Sequence, residues 1–165
     1  MGEQIERADD GTVMALHGDD EVVITRTFAA PAALVFEALT TPELVRRWWA
    51  PRSRGTIVSV EIDRRVGGAW RYVMRTHDGH EVGFSGRFLE IDAPTRIVNT
   101  EVFDPFPDLP ATVTVTLSER DGRTTMTSRS RYPSKEVRDM VVATGMEGGM
   151  RESMAQLDAV VTSLR

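Results

Sequence analysis

Cysteine does not occur in the 165 residues. Disulfide staples, thiolate nucleophiles and cysteine metal sites are excluded together, and a cytoplasmic setting is the expectation that fits. No apolar run approaches the ~18 residues of a membrane span, and the first twenty residues lack the basic and apolar regions of a signal peptide. Positive charge is the scarcer sign: 20 Lys and Arg against 25 Asp and Glu leave a net charge of -5. That disfavours a nucleic-acid partner, because phosphate binding needs a basic face. Histidine occurs three times, twice within His77-Asp78-Gly79-His80-Glu81. A tight hairpin tip sends those side chains into solvent rather than onto one ion, so neither a metal nor a cofactor is expected. His17 lies in the N-terminal arm and takes no role. No serine stands in a Gly-x-Ser-x-Gly elbow, and Gly67-Gly68 opens a strand rather than a phosphate-cradling helix.

What is present is a globular composition, 41% hydrophobic and 27% charged, at a length that supports one domain with its own core. Residues 1–20 are polar and acidic, broken by Val13-Met14-Ala15-Leu16, and read as a flexible arm with one strand turn. Residues 21–165 read as a single domain.

Its organising stretch is Thr144 to Leu164. Met146, Met150, Met154, Leu157, Val161 and Leu164 recur at steps of three and four, the stripe of an amphipathic helix. Thr144 and Glu147 have the spacing of a capping box at its start. The stripe is methionine in its first half and leucine and valine in its second. The soft half suits a cavity wall and the firm half suits packing.

The other elements follow from period and punctuation. Residues 21–28 alternate as a strand, and Pro31 and Pro42 each open a helix at the first helical position. The second helix ends in Trp48-Trp49-Ala50-Pro51, where proline forbids continuation. Six strands come next, around residues 56–62, 70–75, 84–88, 96–103, 112–117 and 123–131, with Asp78-Gly79 and Asp121-Gly122 as hairpin turns. Ser134 caps a short helix that hands over to the long one. One strand, two helices, six strands and a final helix make an α+β fold. A meandering seven-stranded antiparallel sheet curls around the C-terminal helix, because twist bends so wide a sheet.

The carrying residues of a resemblance are now in view: Arg26-Thr27-Phe28-Ala29-Ala30-Pro31 with Val35-Phe36 and Leu39-Thr40; Trp48-Trp49-Ala50-Pro51; Asp63 with Val66-Gly67-Gly68-Ala69-Trp70-Arg71; Gly86; Tyr132-Pro133-Ser134 with Arg138-Asp139; and Thr144-Gly145-Met146 with Gly149 and Leu157. In these the chain resembles the helix-grip fold of the START-like (SRPBCC) superfamily of polyketide cyclases and lipid-transport proteins. Within it, the chain resembles the branch named after the activator of heat-shock-protein ATPase. The resemblance runs from about Glu21 to the end. It implies a ligand carrier, a cyclase-like or hydrolase-like enzyme, or a chaperone-linked stress-response protein, since the branch holds all of these.

The residues themselves point to a cavity between the bent sheet and the methionine end of the last helix, taking an apolar or amphipathic small molecule. The inward strand faces offer Trp70, Tyr72, Met74, Phe84, Phe88, Phe103 and Met126, facing Met146, Met150 and Met154; plain core packing predicts the same alternation. Adjacent helical residues point about 100° apart, so one of Trp48 and Trp49 plugs the core, and Trp49 is assigned to the cavity mouth. Glu101 shares a face with Phe103. A carboxylate turned inward there would be a general base or a seat for a polar head group; the alternative is a solvated end, or pairing with Arg71 or Arg129. Ser128 adds a hydrogen-bonding group. No residue is assigned as catalytic. An enzyme using the same cavity, and an interaction protein or homodimer docking through the tryptophans and helix glycines, remain as alternatives.

Overall fold

A computed structural model of the chain describes residues 4–7 and 11–165. Among the described residues the chain runs β1 (Gln4–Arg7), β2 (Val13–His17), β3 (Glu21–Phe28), α1 (Ala32–Thr40), α2 (Pro42–Trp48), β4 (Gly55–Ile62), β5 (Ala69–Thr76), β6 (Glu81–Asp92), β7 (Arg96–Phe103), β8 (Ala111–Arg120), β9 (Arg123–Arg131), α3 (Lys135–Ala143) and α4 (Met146–Ser163). The strands form one antiparallel sheet in the order β1-β2-β3-β9-β8-β7-β6-β5-β4.

This is the expected α+β arrangement with two corrections to the sheet. The seven expected strands are β3 to β9, and two more extend its edge. β2 pairs with β3 from Val13 opposite Thr25 to His17 opposite Glu21, and in doing so buries Met14. The first twenty residues therefore hold two strands in place of one strand turn; residues 1–3 and 8–10 of that arm lie outside the described residues. The meander also holds only from β4 to β9. β3 pairs with β9 instead of β4, because residues 29–54 form α1 and α2 and carry the chain across the width of the sheet. Bulges at Ile57/Ser59 and Phe88/Glu90 bend the far half. Asp121 and Gly122 both take positive φ, 54° and 74°, the twist-matched turn that closes the β8–β9 hairpin.

The helix starts differ in detail from expectation. Pro31 is the cap residue of α1 rather than its first residue, and the Ala32 N–H donates to the Glu119 carboxylate of β8 at 2.8 Å. The Thr144–Glu147 capping box does not form. Thr144 ends α3, its hydroxyl donating to the Val141 carbonyl at 2.6 Å, and Gly145 precedes α4 at φ 79°. That left-handed residue breaks the chain between the two helices, a conformation that glycine adopts freely. Ser134 caps α3 as expected, accepting from the Val137 N–H.

The core lies between the sheet and the second half of α4. Leu157, Val160 and Val161 are buried against Phe28, Val35, Trp48, Leu117 and Met126, whereas Met146 and Met150 in the first half are half-buried. The two halves of the stripe thus differ in burial as well as in composition. α4 also grips the end of α2 through polar groups. Ser153 Oγ donates to the Trp49 carbonyl at 2.8 Å. Gln156 Nε2 donates to the carbonyls of Trp48 at 2.8 Å and Ala50 at 2.9 Å, and its Oε1 accepts from the Arg52 N–H at 3.0 Å. These contacts satisfy carbonyls that the C-terminus of α2 leaves open and hold Trp49 in place. Gln156→Leu strands three backbone groups at once, and a loss on the order of 3 kcal/mol in urea denaturation is expected.

Candidate functional site

The site is built on one cross-strand row. Tyr72 of β5 stands opposite Phe84 of β6, and Phe84 opposite Phe103 of β7. The pleat places all three on the concave face with the same spacing that separates the strands. Phe84 and Phe103 stack at 4.9 Å between centroids. Trp49, the residue after α2, drops onto the row and meets Tyr72 and Phe84 edge-on, each at 5.3 Å. Trp70 tilts against Tyr72 at 4.8 Å. Trp48 points the other way, buried with its Nε1 donating to the Ala38 carbonyl at 2.8 Å. The tryptophan pair is thus divided between a core plug and an aromatic contact.

The candidate residues fall into two groups by depth. Trp70, Phe88, Met126 and Met154 are closed into the core. Trp49, Tyr72, Met74, Phe84, Glu101, Phe103, Ser128, Met146 and Met150 are half-buried. Met74 sits between Ile57 and Val82 on the neighbouring strands, and Ser128 between Ile24 and Val115. Phe106, an aromatic outside the candidate set, lies in the loop after β7 at 6.0 Å from Phe103.

Glu101 is the charged group of this face. It stands two residues before Phe103, directly opposite Ala111 of β8. Loss of water around it pushes its carboxyl up to about 7. The arginines considered as partners are engaged elsewhere: Arg71 makes a two-pronged pair with Asp104, at 3.0 and 2.7 Å, and Arg129 pairs with Glu21 at 2.9 Å. Among the described residues no cation and no hydrogen-bond donor engages the Glu101 carboxyl. Yet its residue is half-buried rather than closed off, and its oxygens are not among the sealed, unpaired polar atoms. The carboxyl is thus short of water without being sealed off.

Two phenols lie within electrostatic reach of it. Tyr72 and Tyr132 both have their ionisation pushed well above the ordinary tyrosine value, first by burial and then by the negative charge of Glu101; at Tyr132 a hydrogen bond with Ser130 partly offsets the rise. Tyr132 did not figure among the candidates, although the alternation through Met126, Ser128 and Ser130 continues onto it. The hairpin tip has no comparable order: His77 meets the Arg52 carbonyl at 3.1 Å, and His80 lies 3.9 Å from Asp78. Two shallow grooves lie apart from Glu101. One, about 440 Å³, runs between α1 and Ile91–Pro94; the other, about 520 Å³, crosses β5 to β7 around Arg71, Ser85 and Arg87.

A sequence profile described as "Activator of Hsp90 ATPase homolog 1-like protein" matches residues 29–162. Among solved structures the chain is similar to a protein of Rhodobacter sphaeroides at 25% identity and a TM-score of 0.83, over 98% of this chain and 99% of that one. A protein of Nitrosomonas europaea is similar at 26% identity and a TM-score of 0.80, over 90% and 97%. A protein of Mycobacterium smegmatis matches at 26% identity and 0.77, over 98% of both chains. No curated protein matches the chain. No helix among the described residues is long and apolar enough to cross a membrane. With most of its length under that profile and near-complete overlap with solved folds of this kind, the chain belongs to the Activator of Hsp90 ATPase homologue 1-like family of the START-like superfamily.

Proposed function

We propose that the protein binds a small apolar or amphipathic molecule between the aromatic row of β5 to β7 and the first half of α4. Trp49, Phe84, Phe103 and Met150 supply the apolar walls, and Glu101 with Tyr72 orients the polar end. Most of the affinity comes from apolar surface removed from water, with a few polar groups giving specificity. The observation that carries the reading is Glu101: a carboxyl desolvated enough to titrate near 7, with oxygens still reachable and no protein partner among the described residues. A packed core does not leave a carboxylate in that condition, since its burial costs several kcal/mol unless something answers it.

Met150 tests the space. Met150→Trp adds an indole from the helix side at a half-buried position on the margin of the core. Uptake of an environment-sensitive apolar dye should weaken by roughly tenfold or more, the cost of losing one well-filled subpocket, with circular dichroism and melting unchanged. Undiminished dye affinity in a folded variant would overturn the reading. A second reading, an enzyme using the same space, draws on the same carboxyl, because a group titrating near 7 is matched to proton transfer at neutral pH. It requires a turnover whose pH profile loses an ionisation near 7 in Glu101→Gln.

A further inference from the structure

The groups around Glu101 restrict the chemistry of the head group that a ligand brings there, an inference that rests on the binding reading above. We propose that the natural ligand is an amine: a cationic ammonium on an apolar body, its N–H groups donating to the Glu101 carboxylate and its body lying along Trp49, Phe84 and Phe103.

The argument starts from what each side chain offers. An ionised carboxylate only accepts hydrogen bonds. No arginine among the described residues answers Glu101, and those weighed as partners or packed along β3 and α4 are committed elsewhere: Arg71 to Asp104, Arg129 to Glu21, Arg26 of β3 to Asp158 and Thr12, and Arg151 of α4 to Glu147 and the Thr12 carbonyl. The remaining ionisable groups within electrostatic reach of Glu101 are the Tyr72 and Tyr132 phenols. A fatty acid, a phosphate or a sulfate would therefore bring its negative charge against Glu101 in a place with little water to screen it. A neutral alcohol is tolerated, but its single O–H answers a carboxylate poorly. An ammonium supplies up to three donors and the missing charge, and charge-assisted bonds are about twice as strong as neutral ones.

The walls agree with this assignment. The aromatic rings begin within one residue pair of Glu101 along β7, and Trp49 meets Tyr72 and Phe84 edge-to-face, all three being half-buried. Ring faces attract cations, most strongly for tryptophan. Opposite Glu101 stands Ala111, whose methyl offers the carboxylate neither charge nor a hydrogen bond. One consequence separates the amine from other ligands. Glu101 is protonated below about 7 in the empty protein, so an ammonium must displace that proton, and amine affinity should rise as pH climbs through 7. An alcohol should show little dependence, and a carboxylate should bind worse as pH rises. The phenols do not ionise in this range, since both are shifted upward.

The experiment is isothermal titration of the full chain with octylamine, 1-octanol and octanoate, three probes that share one apolar body, at pH 6 and pH 8, on the natural protein and on Glu101→Gln. At pH 8 octylamine should bind at least roughly tenfold more tightly than octanol, the return on a hydrogen bond to a charged group, and octanoate should bind most weakly. Octylamine affinity should fall at pH 6. Glu101→Gln should remove the preference for the amine and its pH dependence while keeping octanol binding. Octanol or octanoate binding as tightly as octylamine overturns the proposal, and so does an amine preference that survives Glu101→Gln. If no octyl probe binds while the apolar dye enters and Met150→Trp blocks it, the amine assignment falls and the binding reading stands. If the dye does not enter either, the binding reading itself falls.

Discussion

Gly86→Ala should cost more than about 3 kcal/mol, a large part of the stability of an ordinary domain. A Cβ at position 86 would stand 1.8 Å from the Thr100 carbonyl oxygen and 2.7 Å from Trp70 Nε1. Neither neighbour can give way cheaply. Thr100 belongs to the backbone of β7, and its carbonyl accepts from Trp70 Nε1 at 3.2 Å and from the Asn99 side chain at 3.0 Å. Trp70 is itself buried in the core, so displacing it opens a void where the sheet meets α4. The added methyl must therefore spread the β6–β7 ladder or expel an indole, and both act on the strands that carry Phe84 and Glu101. The urea midpoint measures the effect. A loss below about 1 kcal/mol, the cost of an ordinary surface change, would mean that the ladder is far looser here than its geometry states.

The second large effect belongs to Glu101 and depends on pH. In the unfolded chain its carboxyl ionises near 4.5, whereas in the folded protein burial raises it to about 7. Between those values the folded state holds a proton that the unfolded state has released. Stability therefore falls as pH rises through this window and stays lowered above 7. The penalty reaches at most about 3 kcal/mol, from the size of the shift at 1.36 kcal/mol per unit. Glu101→Gln keeps the shape and removes the ionisation. Relative to the natural protein it should be nearly neutral at pH 4 and more stable at pH 8 by most of that amount. Denaturant midpoints of both proteins at the two pH values isolate the effect, because the other carboxylates cancel in the comparison. An equal difference at both pH values would show that Glu101 is solvated. An octylamine complex should reduce the gap, since the cation then answers the charge.

Strands, helices and turns were legible because they are written in local signals. Alternation marked Trp70–Tyr72–Met74 and Thr124–Met126–Ser128, steps of three and four marked Met146 to Leu164, and Asp121-Gly122 marked a hairpin. Misses arose where a decision was not local. The place of β3 beside β9 depends on how far α1 and α2 carry the chain. The start of α4 depends on where α3 ends, since Thr144 closes α3 and Gly145 turns left-handed before α4, which overrode a well-spaced threonine and glutamate. Gln156 looked like one more polar helical residue until the end of α2 came to rest on it.

The candidate site divides in the same way. Periodicity assigned Phe84, Glu101, Phe103 and Met126 to an inward face, since a pleat sends alternate side chains to one side whatever lies there. It could not assign depth. Met126 closes into the core while Phe84 and Phe103 stay half-buried, because depth depends on what α4 sets above each position. Nor could it assign partners: Arg71 and Arg129 were as near to Glu101 in pattern as Asp104 and Glu21, and only the folded sheet shows which carboxylates they reach. By itself the sequence determined the elements from residue 21 onward apart from the start of the last helix, the face each residue shows and the family. The tertiary structure alone decided that Glu101 stands desolvated beside two phenols with its oxygens open, since charge pairing and water exclusion arise between strands distant along the chain.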